Sequence, residues 1–513
     1  MKKMSRSHGV LLHPSSLPSQ EGIGGLGSEA HSFLYWLHDA GARAWQMLPL
    51  VPSGAGYSPY SSPSAFAGNP LLISLSTLAS QAWLSDSDLQ KYIVQAQVWG
   101  IDEVDFAAVS VHKHALLNLA AQRFQHALSH SPQANIQENF TAFCQAESSW
   151  LDDAAFFHVL SHIIYPEQSW WDWPKEAQQK SDTLLSELAT NYASELLNYK
   201  IIQYWFQEQW QSLKLKAEEL NITLIGDVPI YVDHHSADVW AHPELFRLDK
   251  ANQPISVAGV PPDAFSETGQ LWGNPIYKWS KHLGTGYAWW VARLQRVLSL
   301  THQVRIDHFR AFASYWSIPY GSDDARSGTW IKGPGMSIFE AFEATLCRED
   351  GTLPLIAEDL GLIDQEVRDL LESSRLPGMK VLQFAFDKDP ENTYLPHNFT
   401  STRCIVYTGT HDNDTSRGWW QSLDEESKHQ VRVYCSTAGT DEHISWDLIR
   451  LALASIAELS IIPLQDVLSL GNNARMNKPS SSTGNWAWRV RKDALNSEVS
   501  TQLKAIAEIY GRC

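Results

Sequence analysis

Short apolar runs, each followed by a polar or Gly/Pro-rich loop, recur along the chain. Eight of them have the length and composition of buried strands, and they cover residues 10–14, 44–50, 223–228, 303–307, 353–359, 380–386, 404–410 and 458–464. Amphipathic helical patterns fit between several runs, as with Phe33, Trp36 and Leu37 before the second. Apolar strands that alternate with helices predict an α/β fold with a covered parallel sheet, and eight strands favour a closed (β/α)8 barrel.

The spacing between the runs is uneven, which predicts insertions into a single barrel of residues 1–513. About 170 residues separate the second and third runs, and they contain helical patterns such as HKHALLNLAAQRFQHAL. We therefore expect an inserted, mostly helical subdomain over approximately residues 71–220. A further insertion with an active-site loop is expected over approximately residues 229–300, between the third and fourth strands.

Composition restricts the partners and the compartment. The 39 Lys and Arg residues against 57 Asp and Glu give a net charge of -18 without a basic cluster, so neither nucleic acid nor an anionic membrane is an expected partner. Five scattered cysteines without a C-x-x-C pair predict neither a disulfide framework nor a zinc knuckle. Because the chain has no long apolar run and no signal-like N-terminal stretch, we expect a cytoplasmic protein. The oligomeric state stays open.

The segment GIGGLG at residues 22–27 matches the G-x-G-x-x-G pattern of a dinucleotide-binding turn. In that motif the first glycine directly follows a strand, whereas nine residues including Pro14 and Pro18 separate Leu12 from Gly22. The spacing therefore argues against a nucleotide site. We expect a turn that leads into a helix capped by Ser28.

Acidic residues follow three of the predicted strands. The run VRIDHFRAF ends its strand at Asp307, and strand alternation places Arg305 on the same face, where its guanidinium would keep Asp307 ionised. The next strand ends at Glu358 and Asp359, and a later one at His411 and Asp412. The carboxyl ends of barrel strands share one rim, so these acids are expected to lie close together.

Such a set of acids suits the cleavage of a glycosidic bond. One carboxylate attacks the anomeric carbon, and a protonated carboxyl donates its proton to the departing oxygen. The two acids must differ in protonation. Asp307 lies beside Arg305 and should ionise readily, while the apolar strand before Glu358 favours a raised pKa for that carboxyl.

The segments IGDVPIYV, RIDHFRAF, IAEDLG and TGTHDND resemble the strand-end motifs of the α-amylase clan. They are most similar to those of the 4-alpha-glucanotransferases of glycoside hydrolase family 77, the amylomaltases or disproportionating enzymes. The similarity extends through nearly the whole chain and includes SPYSSPSAFAGNP at 58–70, VAGVPPDAFSETGQLWGNPIY at 257–277 and ARMNKPSSSTGNWAWR at 474–489.

The resemblance implies roles for individual residues. Asp307 corresponds to the nucleophile, Glu358 to the acid/base and Asp412 to the stabiliser of the transition state. The implied sugar-binding residues are Arg305, His411, Asp227, Tyr60, Trp272 and Asn274. The implied donors and acceptors are maltooligosaccharides and α-1,4-glucans, which are transferred by a retaining double displacement without a cofactor or metal ion.

The loop at 257–277 lies on the expected active rim and combines Gly and Pro residues with apolar rings. We expect it to act as a lid in which Phe265 contacts acceptor sugars and reduces the access of water. The alternative is a rigid, packed loop in which Phe265 is buried.

Three other functions stay open at this point. The triplet Asp233-His234-His235, together with Asp227 and Asp307-His308, could form the metal site of a barrel metallohydrolase. A non-catalytic carbohydrate-binding protein could use the 22 tryptophans, although it would not need three strand-end acids. A hydrolase of α-1,4-glucans would share all three acids with the transferase.

Overall fold

The computed structural model describes residues 6–130, 134–262, 266–361, 363–479, 481 and 483–513. The strands in this part of the chain are β1 Ser7–Leu11, β2 Ala44–Gln46, β3 Thr223–Val228, β4 Ser256–Val260, β5 Gln270–Pro275, β6 Gln303–Ile306, β7 Ser314–Pro319, β8 Thr329–Lys332, β9 Leu355–Ala357, β10 Gly378–Val381, β11 Cys404–Tyr407 and β12 Leu459–Pro463.

Eight of these strands form one parallel sheet in the order β10-β11-β12-β1-β2-β3-β6-β9. Starting from β1, this order follows the chain around a barrel. The backbone N–H of Ala357, in β9, donates to the carbonyl of Pro377 at 2.9 Å, across the seam between β9 and β10. Each of the eight predicted apolar runs overlaps one barrel strand, and the predicted (β/α)8 barrel is confirmed.

Helices surround the barrel and fill the long connections. Between β1 and β3 they are α1 Ser28–Asp39, α2 Leu75–Ser80, α3 Asp86–Ala96, α4 Phe106–His130, α5 Ala134–Ala146, α6 Ser148–Val159, α7 Lys175–Gln178, α8 Asp182–Asn191 and α9 Ala193–Glu219. After β3 they are α10 Ala237–Ala241, α11 Trp279–Gly284, α12 Ala288–Leu300, α13 Met336–Leu346, α14 Gln365–Ser374, α15 Ser416–Ser422, α16 Glu425–Cys435, α17 Ile444–Ala454, α18 Leu464–Val467 and α19 Ser497–Ile509.

The apolar faces of these elements build the core. In α1, Phe33 and Leu37 are fully buried, and Phe33 packs edge-on against Trp45 of β2 with ring centroids 4.9 Å apart. The indole N–H of Trp45 donates to the carbonyl of Leu12 at 2.8 Å, so this buried ring leaves no donor unpaired. The helix and the first two strands are therefore fixed to one another by both packing and hydrogen bonding.

A four-stranded antiparallel sheet in the order β5-β4-β7-β8 lies between the barrel strands β3 and β9 in the chain. The sequence patterns did not predict this sheet. The strand β5 carries Trp272, whose ring lies edge-on to that of His308 with centroids 4.9 Å apart. The small sheet thereby adjoins the segment that follows the barrel strand β6.

The glycine-rich turn at 22–27 differs from the prediction at one position. The helix α1 begins at Ser28, and Gly27 rather than Ser28 occupies the N-cap position. A β-carbon at Gly27 would lie 2.8 Å from the Ser74 hydroxyl, so a capping side chain has no room there. A β-carbon at Gly24 would likewise lie 2.2 Å from the carbonyl of Pro14. The glycines thus serve close packing of the turn against its neighbours.

Candidate active site

Asp307 and Glu358 follow directly on two neighbouring barrel strands. In the parallel register Ile306 of β6 pairs with Ala357 of β9, so the next residues of both strands are also neighbours. The backbone N–H of Glu358 donates to the carbonyl of Ile306 at 3.0 Å. Adjacent strands lie about 4.8 Å apart, so the two acids emerge side by side at the rim.

Arg305 joins two carboxylates on this rim. Its Nη1 donates to Oδ1 and Oδ2 of Asp227 at 2.9 and 2.8 Å, and its Nη2 donates to Oδ1 of Asp307 at 2.9 Å. The Arg305 and Asp227 side chains are only 4% and 1% exposed, whereas that of Asp307 is 28% exposed. Burial would lower the pKa of Arg305, but the carboxylates of Asp227 and Asp307 raise it well above its usual value. Asp307 is thus held by a permanent cation and still faces the cleft.

Tyr60 extends this network to the loop after β2. Its hydroxyl donates to Oδ2 of Asp227 at 2.6 Å. Burial, followed by the nearby Asp227 charge, raises the pKa of Tyr60 well above 10, so the hydroxyl keeps its proton and acts as a donor. Tyr60, Asp227, Arg305 and Asp307 therefore form one continuous chain of hydrogen bonds.

The surroundings of Glu358 favour its protonated form. Burial, reinforced by the charge of Asp307, raises its pKa from the usual 4.5 to about 7. Two backbone N–H groups orient the carboxyl: that of His308 donates to Oε2 at 2.6 Å and that of Leu360 to Oε1 at 2.8 Å. His308 adopts the left-handed conformation, with φ 51°, which brings its N–H toward the neighbouring strand. The predicted raised pKa of Glu358 is confirmed.

His411 and Asp412 lie beyond β11 on the same rim. The His411 Nε2 is 3.3 Å from Oδ2 of Asp412, and its ring stacks on that of Tyr60 with centroids 5.1 Å apart. The stack connects His411 and Asp412 to the network of Asp227 and Arg305. Strand ends that are far apart in the sequence therefore meet around Tyr60.

Asn477 and Arg475 were not singled out by the sequence analysis, although both contact Asp412. The Asn477 amide donates to Oδ1 of Asp412 at 2.6 Å, and the Arg475 guanidinium donates to its backbone carbonyl at 2.5 Å. Both belong to the segment ARMNKP, in the loop after β12. The usable signal was the segment itself, in which the polar residues Arg475 and Asn477 alternate with the buried Ala474 and Met476 after α18.

Trp272 and Asn274 are placed on β5, beside the rim. Trp272 contacts the ring of His308, as described above, and its indole donates to the Gln270 side chain at 3.0 Å. The Asn274 amide donates to the carbonyl of Val232 at 3.0 Å and to Asp233 at 3.3 Å, which ties β5 to the loop after β3. Phe265 lies outside the described residues.

The triplet at 233–235 is engaged in local hydrogen bonds. His234 contacts the carbonyl of Asn252 at 2.8 Å, His235 accepts from the backbone N–H of Trp170 at 3.1 Å, and Asp233 accepts from Ser61 at 2.5 Å. Among the described residues, no group of three or more His, Cys, Asp or Glu side chains is placed to share a metal ion. The geometry gives the metallohydrolase interpretation no support.

The barrel fold and the acids at its rim together define a class of protein. These are the (β/α)8-barrel enzymes with several carboxylates at the carboxyl ends of the strands. The family model for 4-alpha-glucanotransferase, glycoside hydrolase family 77, matches residues 12–495. The chain belongs to this family.

Individual relatives agree over almost the full length. The chain is 43% identical over 517 residues to the 4-alpha-glucanotransferase of Thermus thermophilus, with 99% of this chain and 100% of that one covered. It is 42% identical over 515 residues to the chloroplastic/amyloplastic 4-alpha-glucanotransferase of Solanum tuberosum, with 99% and 86% covered. The structure of an amylomaltase from Streptococcus agalactiae in complex with acarbose superposes with a TM-score of 0.92 at 35% identity, covering 99% of both chains.

A helix that crosses a membrane must be both long and apolar. Within the described ranges, no helix is both long and apolar enough to cross a membrane.

Proposed function

We propose that the protein is a 4-alpha-glucanotransferase that moves α-1,4-glucan segments between maltodextrins, with Asp307 as nucleophile and Glu358 as acid/base. One observation carries the proposal: Asp307, held by Arg305, emerges beside Glu358, whose pKa is raised to about 7. A retaining glycosidase needs a nucleophilic carboxylate and a protonated carboxyl about 5 Å apart, which is close to the spacing of adjacent strands.

The first half-reaction forms a covalent intermediate. Asp307 attacks the anomeric carbon through the oxygen that Arg305 does not engage, and the bond from that carbon to the glycosidic oxygen breaks. Glu358 gives its proton to the departing oxygen, which leaves as the 4-hydroxyl of the shortened glucan. The Arg305 guanidinium orients the Asp307 carboxylate through its hydrogen bond to Oδ1 until the new bond forms.

The second half-reaction reverses these roles. The carboxylate of Glu358 takes the proton from the 4-hydroxyl of an acceptor glucan, whose oxygen attacks the anomeric carbon while the bond to Asp307 breaks. Two inversions restore the original α configuration. A pKa of about 7 suits a group that must both donate and accept a proton near neutral pH.

Asp412 and His411 complete the donor site in this proposal. Asp412 carries negative charge to the ring that becomes oxocarbenium-like, and its carboxylate is oriented by the Asn477 amide. Tyr60 and Trp272 contact the sugar in this proposal, and Asp227 supports Tyr60 and Arg305 from a buried position below the rim. The helical elements between β2 and β3 and the segment 229–300 are proposed as insertions that border the cleft.

We include cytoplasmic glucan metabolism in the proposal, because a net charge of -18 favours neither an anionic membrane nor nucleic acid as a partner. The carbohydrate substrate is neutral, so a net charge of -18 does not oppose its binding.

Incubation of the purified protein with maltotriose tests the function. A ladder of longer maltodextrins together with free glucose shows transfer, whereas glucose and maltose alone show hydrolysis and would favour the hydrolase alternative. The Asp307→Asn variant is the matched control, because it removes the nucleophile and keeps the size of the side chain. The proposal expects this variant to lose at least about a hundredfold in turnover.

A further inference from the structure

Arg475 joins the loop after β11 to the loop after β12. Its Nη2 donates to the carbonyl of Asp412 at 2.5 Å, its Nε donates to the carbonyl of Asn477 at 2.6 Å, and its Nη1 forms an ion pair with Asp414. The side chain is 21% exposed, so this guanidinium is largely shielded from water. One planar group thus contacts three acceptors on two loops, a geometry that a lysine cannot reproduce.

The partners of Arg475 are themselves directed at Asp412. Asn477, whose carbonyl Arg475 holds, sends its amide to Oδ1 of Asp412 at 2.6 Å. The backbone N–H of Asn477 donates to the carbonyl of His411 at 3.1 Å. The residues on both sides of Arg475 are anchored in the interior, since Ala474 is 1% and Met476 is 7% exposed. The backbone that carries Arg475 is therefore fixed by its buried neighbours.

We infer that Arg475 is a positioning residue that fixes the Asp412 carboxylate in the cleft. It holds the backbone of Asp412 through the carbonyl, and it holds Asn477, whose amide donates to the carboxylate. This inference rests on the proposed function, in which Asp412 stabilises the transition state. The Asp412 side chain is 43% exposed and follows a strand end, so without this support it would have several accessible rotamers. Misplacement of a catalytic group by about 1 Å can cost on the order of a hundredfold in rate.

The test replaces Arg475 and measures maltotriose disproportionation. Arg475→Ala should lower kcat by about ten- to a hundredfold and change KM by less than about threefold, because the supported group acts mainly in the transition state. Guanidinium ion added to this variant should restore at least part of the lost kcat by occupying the vacated site. Arg475→Lys should resemble Arg475→Ala in rate, because it keeps the charge and loses the fork.

Two further variants separate positioning from general damage. Arg491→Ala removes an exposed pair with Asp102, and it should keep full kcat and show no response to guanidinium. The double variant Asp412→Asn/Arg475→Ala should be no slower than Asp412→Asn alone, because Arg475 acts through Asp412.

The inference is overturned if Arg475→Ala and Arg475→Lys keep full kcat, if their losses multiply with that of Asp412→Asn, or if guanidinium leaves the rate of Arg475→Ala unchanged. Should Arg475→Ala fail to fold, the same kcat and double-variant comparisons with Arg475→Lys decide the matter. If the unmodified protein does not disproportionate maltotriose, the proposed function itself fails, which is a different result from an active protein that is insensitive to Arg475.

Discussion

The guanidinium of Arg305 and the carboxylate of Asp227 share a two-pronged ion pair in which one nitrogen contacts both oxygens, at 2.9 and 2.8 Å. Both residues are buried, on neighbouring strands, at paired positions of the register. The same guanidinium holds Asp307. A rigid pair below the rim therefore sets the position of the proposed nucleophile.

Arg305→Met should lower the free energy of unfolding by about 3 to 5 kcal/mol, because it leaves Asp227 buried without its cation. Arg305→Lys keeps a charge and should recover much of that stability. Its activity should still fall by about a hundredfold, since a lysine cannot contact Asp227 and Asp307 in the same plane. Urea unfolding and maltotriose kinetics measure the two effects separately. Equal activity of Arg305→Lys and the unmodified protein would contradict the positioning role.

The pH dependence of activity should have an alkaline limb set by Glu358. This residue must be protonated for the first half-reaction, and its pKa is about 7, so kcat/KM should fall about tenfold for each pH unit above that value. An activated donor such as α-maltosyl fluoride needs no proton for its leaving group, and its first half-reaction should lack this limb. An identical limb with both donors would assign the titration to another group.

Glu358 should also make the folded protein less stable as the pH rises. Its pKa is raised from 4.5 to about 7, so between these values the unfolded chain releases a proton that the folded protein retains, and the free energy of unfolding falls. The whole effect is at most about 3 kcal/mol, and partial exposure of the side chain reduces it. Urea unfolding of Glu358→Gln should therefore show a stability advantage over the unmodified protein that grows from pH 4.5 to 7. A pH-independent difference would contradict the raised pKa.

Arg512 links the start of β1 to the segment between α17 and β12. It is fully buried and donates to the carbonyls of Ser7, Leu453, Ser455 and Ala457. Arg512→Met should lower the free energy of unfolding by more than about 3 kcal/mol, because it leaves several buried carbonyls unpaired. The control Arg491→Met removes an exposed ion pair and should lower the free energy of unfolding by less than about 1 kcal/mol. Thermal unfolding of both variants measures the difference, and a similar small loss for both would show that water replaces Arg512.

Local patterns were sufficient for the barrel and for part of the site. Each barrel strand is an apolar run, and strand alternation placed Arg305 and Asp307 on one face, where they form a hydrogen bond. The apolar strand before Glu358 likewise indicated its raised pKa. These features depend on residues within one strand or on the common rim of a barrel.

Features that depend on distant contacts were not predicted. The ion pair between Arg475 and Asp414 joins loops 61 positions apart, so no pattern within either loop indicates that the two residues pair. The left-handed conformation of His308 was not predicted either, since only a small fraction of non-glycine residues adopt it and no turn motif marks this position. The expected cap at Ser28 was wrong because Ser74, from a remote segment, fills the space beside Gly27.

Trapping of the covalent intermediate tests the central claim most directly. In Glu358→Gln, α-maltosyl fluoride should still react with Asp307, because fluoride leaves without a proton, while the second half-reaction lacks its base. Peptide mass spectrometry should then find one maltosyl unit on the peptide that contains Asp307, and none in the variant Asp307→Asn/Glu358→Gln. A maltosyl unit on a different residue, or release of β-maltose without any adduct, would contradict a retaining double displacement through Asp307.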